Sequence, residues 1–400
     1  MQPFLVMEVM ERAYAMERQG AEIAHLEVGE PDFDPPPAVV EACQRALRRG
    51  ETRYTDSRGL AELREAIAGD CRRRFGVEVD PDRVFVTSGT SPAMLLTFSL
   101  LLEPGDEIVF GVPSYPCYTN FIRYCGGLPV PVATDPAAAY RLDPEAVRRA
   151  VTPRTRAIVV SSPANPTGAI QSGETLRALA ELGLPLVSDE IYDGLVYDGA
   201  RVTSALEVSD RAFVLDGFSK RYAMTGFRLG YVIAPAWAKR PLQIMLQNLF
   251  ISANRFVQHA GIAALQHGAP AVEEMRCVYQ RRRGLLVEGL RRLGLGIPHL
   301  PSGAFYVLAD ARRFGADSRR LASQLLERAH VGVTPGVDFG QAGEGMLRFC
   351  YAASEATLER ALERLARVLP ELEAEARARG ECGGEGEGDA SGPSPPEAAR

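Results

Sequence analysis

The 400 residues are 46% hydrophobic and 24% charged, a globular balance long enough to bury a substantial core, and the net charge of −6 leaves no basic stripe for a nucleic acid backbone. Seven widely spaced cysteines form no CxxC pair and have no nearby histidine to complete a zinc site, so they read as reduced thiols of a cytoplasmic protein. The amino terminus lacks a basic signal region, and Thr97 and Ser99 interrupt the longest apolar stretch, so neither export nor a membrane span is expected.

Short apolar, β-branched runs bounded by turn residues predict buried strands at 84–87, 107–110, 157–160, 184–187, 212–215 and 230–233. The helical patterns between them have legible ends: Ser91 reads as an N-cap ahead of Pro92, Asp143 as an N-cap ahead of Pro144, and ETLRALAEL stops at Gly183. This alternation predicts an α/β domain over 46–280, with a mostly parallel sheet covered by helices. From about Arg281 the pattern changes to helix, strand AFYVLAD, helix, strand MLRFCYA and helix, a smaller α+β domain of 281–379 completed by residues 1–45. Residues 380–400 hold no aromatic side chain and no aliphatic one larger than alanine, so a disordered tail is expected there.

Only two of the 45 basic residues are lysines, Lys220 and Lys239. Where arginine supplies nearly every positive charge, a lysine marks a task the guanidinium cannot perform, above all that of a deprotonatable nucleophile. Lys239, beside Arg240, reads as an ordinary surface residue; Lys220 stands in a different setting.

Parallel sheets bind ligands beyond the carboxyl ends of their strands, and the residues following each predicted strand fit together. Gly89, Thr90 and Ser91 follow VFVT at a helix start, which makes either an anion site or a plain cap. Tyr115 follows EIVF between two prolines, and Asn165 follows AIVV in a turn with its amide free to donate. Asp189 ends the LPLV strand, where a carboxylate needs a partner or a use, and Tyr192 lies three residues on. Ser219 and Lys220 follow AFVL, with Arg228 eight residues later. One cofactor uses such a set: pyridoxal 5′-phosphate needs a lysine for its Schiff base, an anion at its pyridine nitrogen, and donors for its phenolate oxygen and phosphate. No GxGxxG follows the early strands, and no GxxxxGK[ST] occurs.

In order along residues 3–370 stand EVGEPDF with Gly29, YTDSRGLAELR with Tyr54, SGTSPAM, PSYPCY, NPTG, SDEIY, GFSKRYAMTGFRLG and LRFCYA with Arg348. Together these segments resemble the class I/II aminotransferases, the fold type I family that includes the aspartate aminotransferases. The resemblance implies ping-pong transfer of an amino group between an L-amino acid and a 2-oxo acid, in a homodimer with shared active sites. It implies that Lys220 bonds the cofactor and moves a proton between the substrate α-carbon and the cofactor C4′ carbon, and that Asp189 faces the pyridine nitrogen. Asn165 and Tyr192 match donors to the phenolate oxygen, and Tyr115 matches the ring-stacking aromatic. Gly89, Thr90, Ser91, Ser219 and Arg228 match or neighbour the phosphate site, and Tyr54 matches a residue reaching the neighbouring subunit's phosphate. Arg348 matches the clamp for the substrate α-carboxylate, with Gly29 and Asn165 near it. Phe305 and Tyr306 resemble pocket positions and fit a core equally well.

The chain departs from the family pattern twice. Gly217 stands where many relatives place a phosphate-binding serine, and Ser91 stands where a subgroup of aspartate-specific members carries a lysine. A neutral Ser91 points toward smaller or apolar amino acids. The alternatives are a carbon–sulfur β-lyase of the same fold and a non-catalytic cofactor-binding sensor; the family match starts near residue 3, with no winged helix before it.

Overall fold

The computed structural model describes residues 3–381; nearly all of the tail expected to be disordered lies outside the described residues. Helix α1 (Leu5–Glu17) leads through the short strand β1 (Ala24–His25) to helices α2 (Pro37–Arg48) and α3 (Ala61–Phe75). Then follow β2 (Val84–Thr87), α4 (Thr90–Leu101), β3 (Glu107–Val112), α5 (Cys117–Tyr124), β4 (Leu128–Ala133), α6 (Pro144–Ala150) and β5 (Thr155–Ser161). Helix α7 (Gly173–Ala180) and strands β6 (Leu186–Asp189), β7 (Phe213–Gly217) and β8 (Gly230–Ile233) complete the sheet. Its order is β2-β8-β7-β6-β5-β3-β4, parallel except for β8, which is antiparallel to both neighbours.

The period of two along each strand sorts its side chains between two buried layers. Val84, Val86, Val109, Ile158, Val160 and Val214 face one layer. Phe85, Ile108, Phe110, Val159, Phe213 and Leu215 face the other. Both faces are covered by helices, which is why these strands read as continuous apolar runs.

Three local differences from the sequence pattern have physical reasons. Strand β4 was not expected, because Pro129 and Pro131 remove two donors; it sits at the sheet edge, where that loss is tolerated. Ser91 does not cap α4: the N-cap is Gly89 at φ 96, and Ser91 lies in the first turn with no side-chain cap bond made. Helix α7 ends at Ala180, and Gly183, at φ 77, closes the turn beyond it by donating to the Ala180 carbonyl at 3.0 Å. Asp143 caps α6 as expected, accepting from the Glu145 and Ala146 N–H groups at 3.0 and 3.2 Å.

Helices α8 (Lys239–Leu249), α9 (Arg255–His267) and α10 (Ala269–Arg292) lead to the second unit. It contains β9 (Tyr306–Asp310), α11 (Ser318–Gln324), β10 (Val331–Gly332), β11 (Thr334–Pro335), β12 (Met346–Cys350) and α12 (Glu355–Ala378). Strands β11-β12-β9 form an antiparallel sheet, and β10 pairs in parallel with β1. Helix α1 is tied to this unit: Asp338 accepts from the Leu5 and Val6 N–H groups at 3.0 and 3.3 Å, and Arg12 pairs with Glu327 at 2.6 Å. Among the described residues, no helix is long and apolar enough to cross a membrane, and the six cysteines are free.

Candidate active site

The carboxyl ends of the central strands open on a cavity of about 290 Å³. Gly29, Ser219, Lys220, Asp189, Tyr192 and Asn165 line it, and so do Thr90, Ser91, Tyr115, Arg228 and Arg348. Gly89 and Tyr54 do not line the cavity; Tyr54 lies on the surface, 76% exposed. Lys239 is also a surface residue, paired with Asp80 at 2.9 Å.

Strand β7 delivers the amine, because Ser219 and Lys220 follow its end at Gly217 almost directly. Lys220 Nζ donates to the Gly29 carbonyl at 2.6 Å. Burial, opposed by Glu30 and Cys350 and assisted by Arg228 and Arg348, pushes its pKa down to about 8. Roughly a tenth of the lysine is then the neutral, nucleophilic amine at pH 7.

Asp189 ends β6 and is held by Tyr118, whose hydroxyl donates to Oδ2 at 2.7 Å; the Ile191 N–H reaches Oδ1 at 3.4 Å. Burial, opposed by those hydrogen bonds, pushes its pKa up to about 6. A positive ring nitrogen against this carboxylate would reverse the shift. The folded pKa lies above the ordinary value, so the protonated carboxyl's contribution to stability is complete below about pH 4 and is lost as pH rises through about 6. The cofactor-free Asp189→Asn variant is therefore expected to gain on the order of 1–3 kcal/mol over wild type at pH 8, with the gain gone near pH 4. Urea melts at the two pH values test this, and an unchanged difference between them refutes it.

Arg348, on β12, is 3% exposed. Its Nη1 donates to Asn165 Oδ1 at 3.0 Å, and its Nη2 donates to Thr334 Oγ1 at 3.0 Å and to the Glu27 carbonyl. The guanidinium lies over the rings of Tyr306 and Phe339, 4.3 and 5.0 Å from their centroids. No carboxylate of the described residues pairs with it, and its buried Nε has no hydrogen-bond partner among them. A guanidinium so enclosed without an anion suits an incoming carboxylate. With its oxygen turned to Arg348, the Asn165 amide keeps its NH2 group as a donor for a ligand.

An anion also suits the start of α4, where Thr90 and Ser91 line the cavity beside Arg228. Gly89 matters through its missing side chain: a Cβ there would stand 2.6 Å from Arg228 Nη2. At Gly217, a Cβ would stand 3.0 Å from both Gly230 Cα and the Leu229 carbonyl oxygen. The β7–β8 pairing thus fills the space a serine would need at 217, and Ser219 is the nearby hydroxyl that reaches the cavity.

Two further tyrosines serve the site: Tyr118, to which the sequence reading gives no role, and Tyr306, which it leaves open between pocket and core. Tyr118 supports Asp189, and its signal is the spacing of three from Tyr115 at the start of α5. Tyr306 hydrogen-bonds Tyr192, hydroxyl to hydroxyl at 2.7 Å, and lines the cavity, whereas its neighbour Phe305 is fully buried core. Residues of α1 also reach the cavity: Val6, Met7 and Met10, with Phe4 just before the helix.

A seven-stranded, mostly parallel sheet whose carboxyl ends bring together a lysine, a buried carboxylate and an unpaired guanidinium defines an aspartate aminotransferase-like enzyme of fold type I. The sequence pattern described as Aminotransferase class I and II matches residues 21–365. The chain is 43% identical over 376 residues to the aspartate/prephenate aminotransferase of Thermus thermophilus, covering 92% of this chain and 97% of that protein. It is 38% identical over 376 residues to the valine–pyruvate aminotransferase of Mycobacterium tuberculosis, covering 92% and 96%. The solved structure of the Thermus thermophilus aspartate aminotransferase with maleate superposes with a TM-score of 0.88 at 43% identity, over 92% of this chain and 97% of that one. This chain belongs to the class I and II aminotransferase family and is an aminotransferase. Enzymes of that family use pyridoxal 5′-phosphate.

Proposed function

We propose that the chain transfers an amino group between an L-amino acid and a 2-oxo acid in two half-reactions, with pyridoxal 5′-phosphate bound in the cavity lined by Lys220. The observation that carries this reading is the gathering of Lys220, Asp189 and Arg348 around one cavity. When bound, the cofactor supplies an electron sink for the substrate α-carbon.

The chain's residues divide the remaining work. Lys220 would hold the cofactor through its amine, and as a free amine it would move a proton to and from the substrate α-carbon. Asp189, steadied by Tyr118, would be the anion that keeps the pyridine nitrogen protonated. The Asn165 NH2 group and the Tyr192 hydroxyl would supply donors for the phenolate oxygen, and Tyr115 an aromatic surface for the ring. Thr90, Ser91, Ser219 and Arg228 would hold the phosphate, with Gly89 making room for Arg228. Arg348 takes the substrate α-carboxylate with its planar fork, near the Gly29 backbone. The same reading makes the enzyme a cytoplasmic homodimer in which the exposed Tyr54 reaches a neighbouring subunit's phosphate. It divides the chain into 46–280 and 1–45 with 281–379, a division supported by the separation of the seven-stranded sheet from the two smaller ones.

The test is an absorbance titration of the loaded enzyme. A donor amino acid is expected to convert the visible cofactor band while releasing one 2-oxo acid per site, and a 2-oxo acid is expected to restore it. Release of free ammonia and pyruvate from cystathionine, without such conversion, overturns transamination in favour of β-elimination.

A further inference from the structure

Resting on the transamination reading, we infer that both substrates are monocarboxylic, an apolar amino acid as donor and an apolar 2-oxo acid as acceptor, selected by a wall that helix α1 contributes to the cavity. Phe4, Val6, Met7 and Met10 form that wall, joined by Val28 and Met94. Phe4 also packs edge-on against Tyr115, with ring centroids 6.0 Å apart. The wall is fixed to the body of the protein, because Asp338 holds the first N–H groups of α1. Its three thioethers are flexible and polarizable, so they adapt to side chains of differing shape.

The charges this chain brings to the cavity point the same way. The cations lining the cavity are Lys220, Arg228 and Arg348, and each already has a task in the proposed function. Ser91 is neutral, so among the described residues no further cation lines the cavity to receive a second carboxylate. The other arginines bonded to α1, Arg12 and Arg319, are paired with Glu327 and Glu8 and do not line the cavity. Carboxylates lie nearby instead: Glu30 accepts from the cavity-lining Thr225, and Asp338 sits at the start of α1. A substrate's distal carboxylate would lose its water against methionine, unpaired and among like charges. Both half-reactions use this one cavity, so the restriction falls equally on donor and acceptor. The enzyme therefore couples two pools of monocarboxylic compounds, and a dicarboxylic 2-oxo acid must be replaced by a monocarboxylic acceptor.

The loaded enzyme tests this with single half-reactions. Leucine, methionine and phenylalanine are expected to convert the cofactor band with kcat/KM at least about 100-fold above aspartate, glutamate and arginine, and 4-methyl-2-oxopentanoate is expected to exceed 2-oxoglutarate by a similar factor. Calorimetry with unreactive acids supplies a readout independent of turnover, in which 4-methylpentanoate binds more tightly than glutarate. Met10→Ala is expected to lower kcat/KM for leucine about 10-fold while changing that for alanine less than about twofold. Aspartate, glutamate or arginine matching leucine overturns the substrate class, and an equal loss for leucine and alanine overturns the role of α1. Failure of every amino acid to convert the band is a different result, since it removes the transamination reading beneath the inference.

Discussion

Replacing Lys220 with alanine is expected to lower amino-group transfer by at least about 10⁴-fold, because one side chain is withdrawn from both bonding the cofactor and moving the proton. Nothing else in the cavity can take over near neutral pH. Burial drives the phenols of Tyr115, Tyr118 and Tyr192 well above their ordinary range, and Tyr306 upward as well, so none of them is an available base. Asp189 is committed to Tyr118, and a guanidinium does not deprotonate. The variant should fold, because Lys220 contributes one bond to the Gly29 carbonyl and its charged form is disfavoured where it sits. Rapid-mixing measurement of the half-reaction at saturating donor, beside a thermal melt, checks both statements. A folded variant that keeps more than about 1% of the wild-type rate would falsify the assignment.

Arg348→Lys has the second largest expected effect. Kcat/KM should fall about 10²–10³-fold for the amino acid and the 2-oxo acid alike, equivalent to about 3–4 kcal/mol for charge-assisted bonds to a carboxylate common to both. Lysine keeps the charge but loses the planar fork, and the stacking on Tyr306 and Phe339 that fixes its direction is weakened. Steady-state kinetics in both directions provide the check. A loss confined to one direction, or none, means that Arg348 does not hold the α-carboxylate.

The strands that build the site could be read from the chain because each is buried on both faces, and β-branched runs such as VFVT and GYVI admit few other uses. Lys220 and Asp189 were legible for the opposite reason: a rare amine and a carboxylate stand where the local pattern demands apolar residues. Strand β4 escaped because its prolines argue against pairing, and only its place at the sheet edge, paired on one side with β3, makes them harmless. The misread cap at Ser91 arose because a serine before proline at a helix start is usually a cap, whereas here a glycine at positive φ turns the chain and frees the hydroxyl for the cavity. The spacing of Tyr118 from Tyr115 and the pocket-like position of Tyr306 do not decide their roles, since a buried tyrosine looks the same whether its hydroxyl serves a site or the core. The α1 wall was hidden differently: the helix could be recognised, but which side of it met a cavity depended on Asp338, more than 300 residues away.

The surface pair between Lys239 and Asp80 turns this arginine-rich protein into a convenient chemical probe. Arginine at 239 can keep the bond to Asp80, so a single conservative exchange leaves Lys220 as the sole side-chain amine of the polypeptide. Amine-directed acylating tags would then have one side-chain target beside the α-amino group, which peptide mapping separates, without the background that makes such labelling ambiguous in proteins with many lysines. A mass shift after hydride reduction of the loaded enzyme would likewise have one side chain to which it could belong.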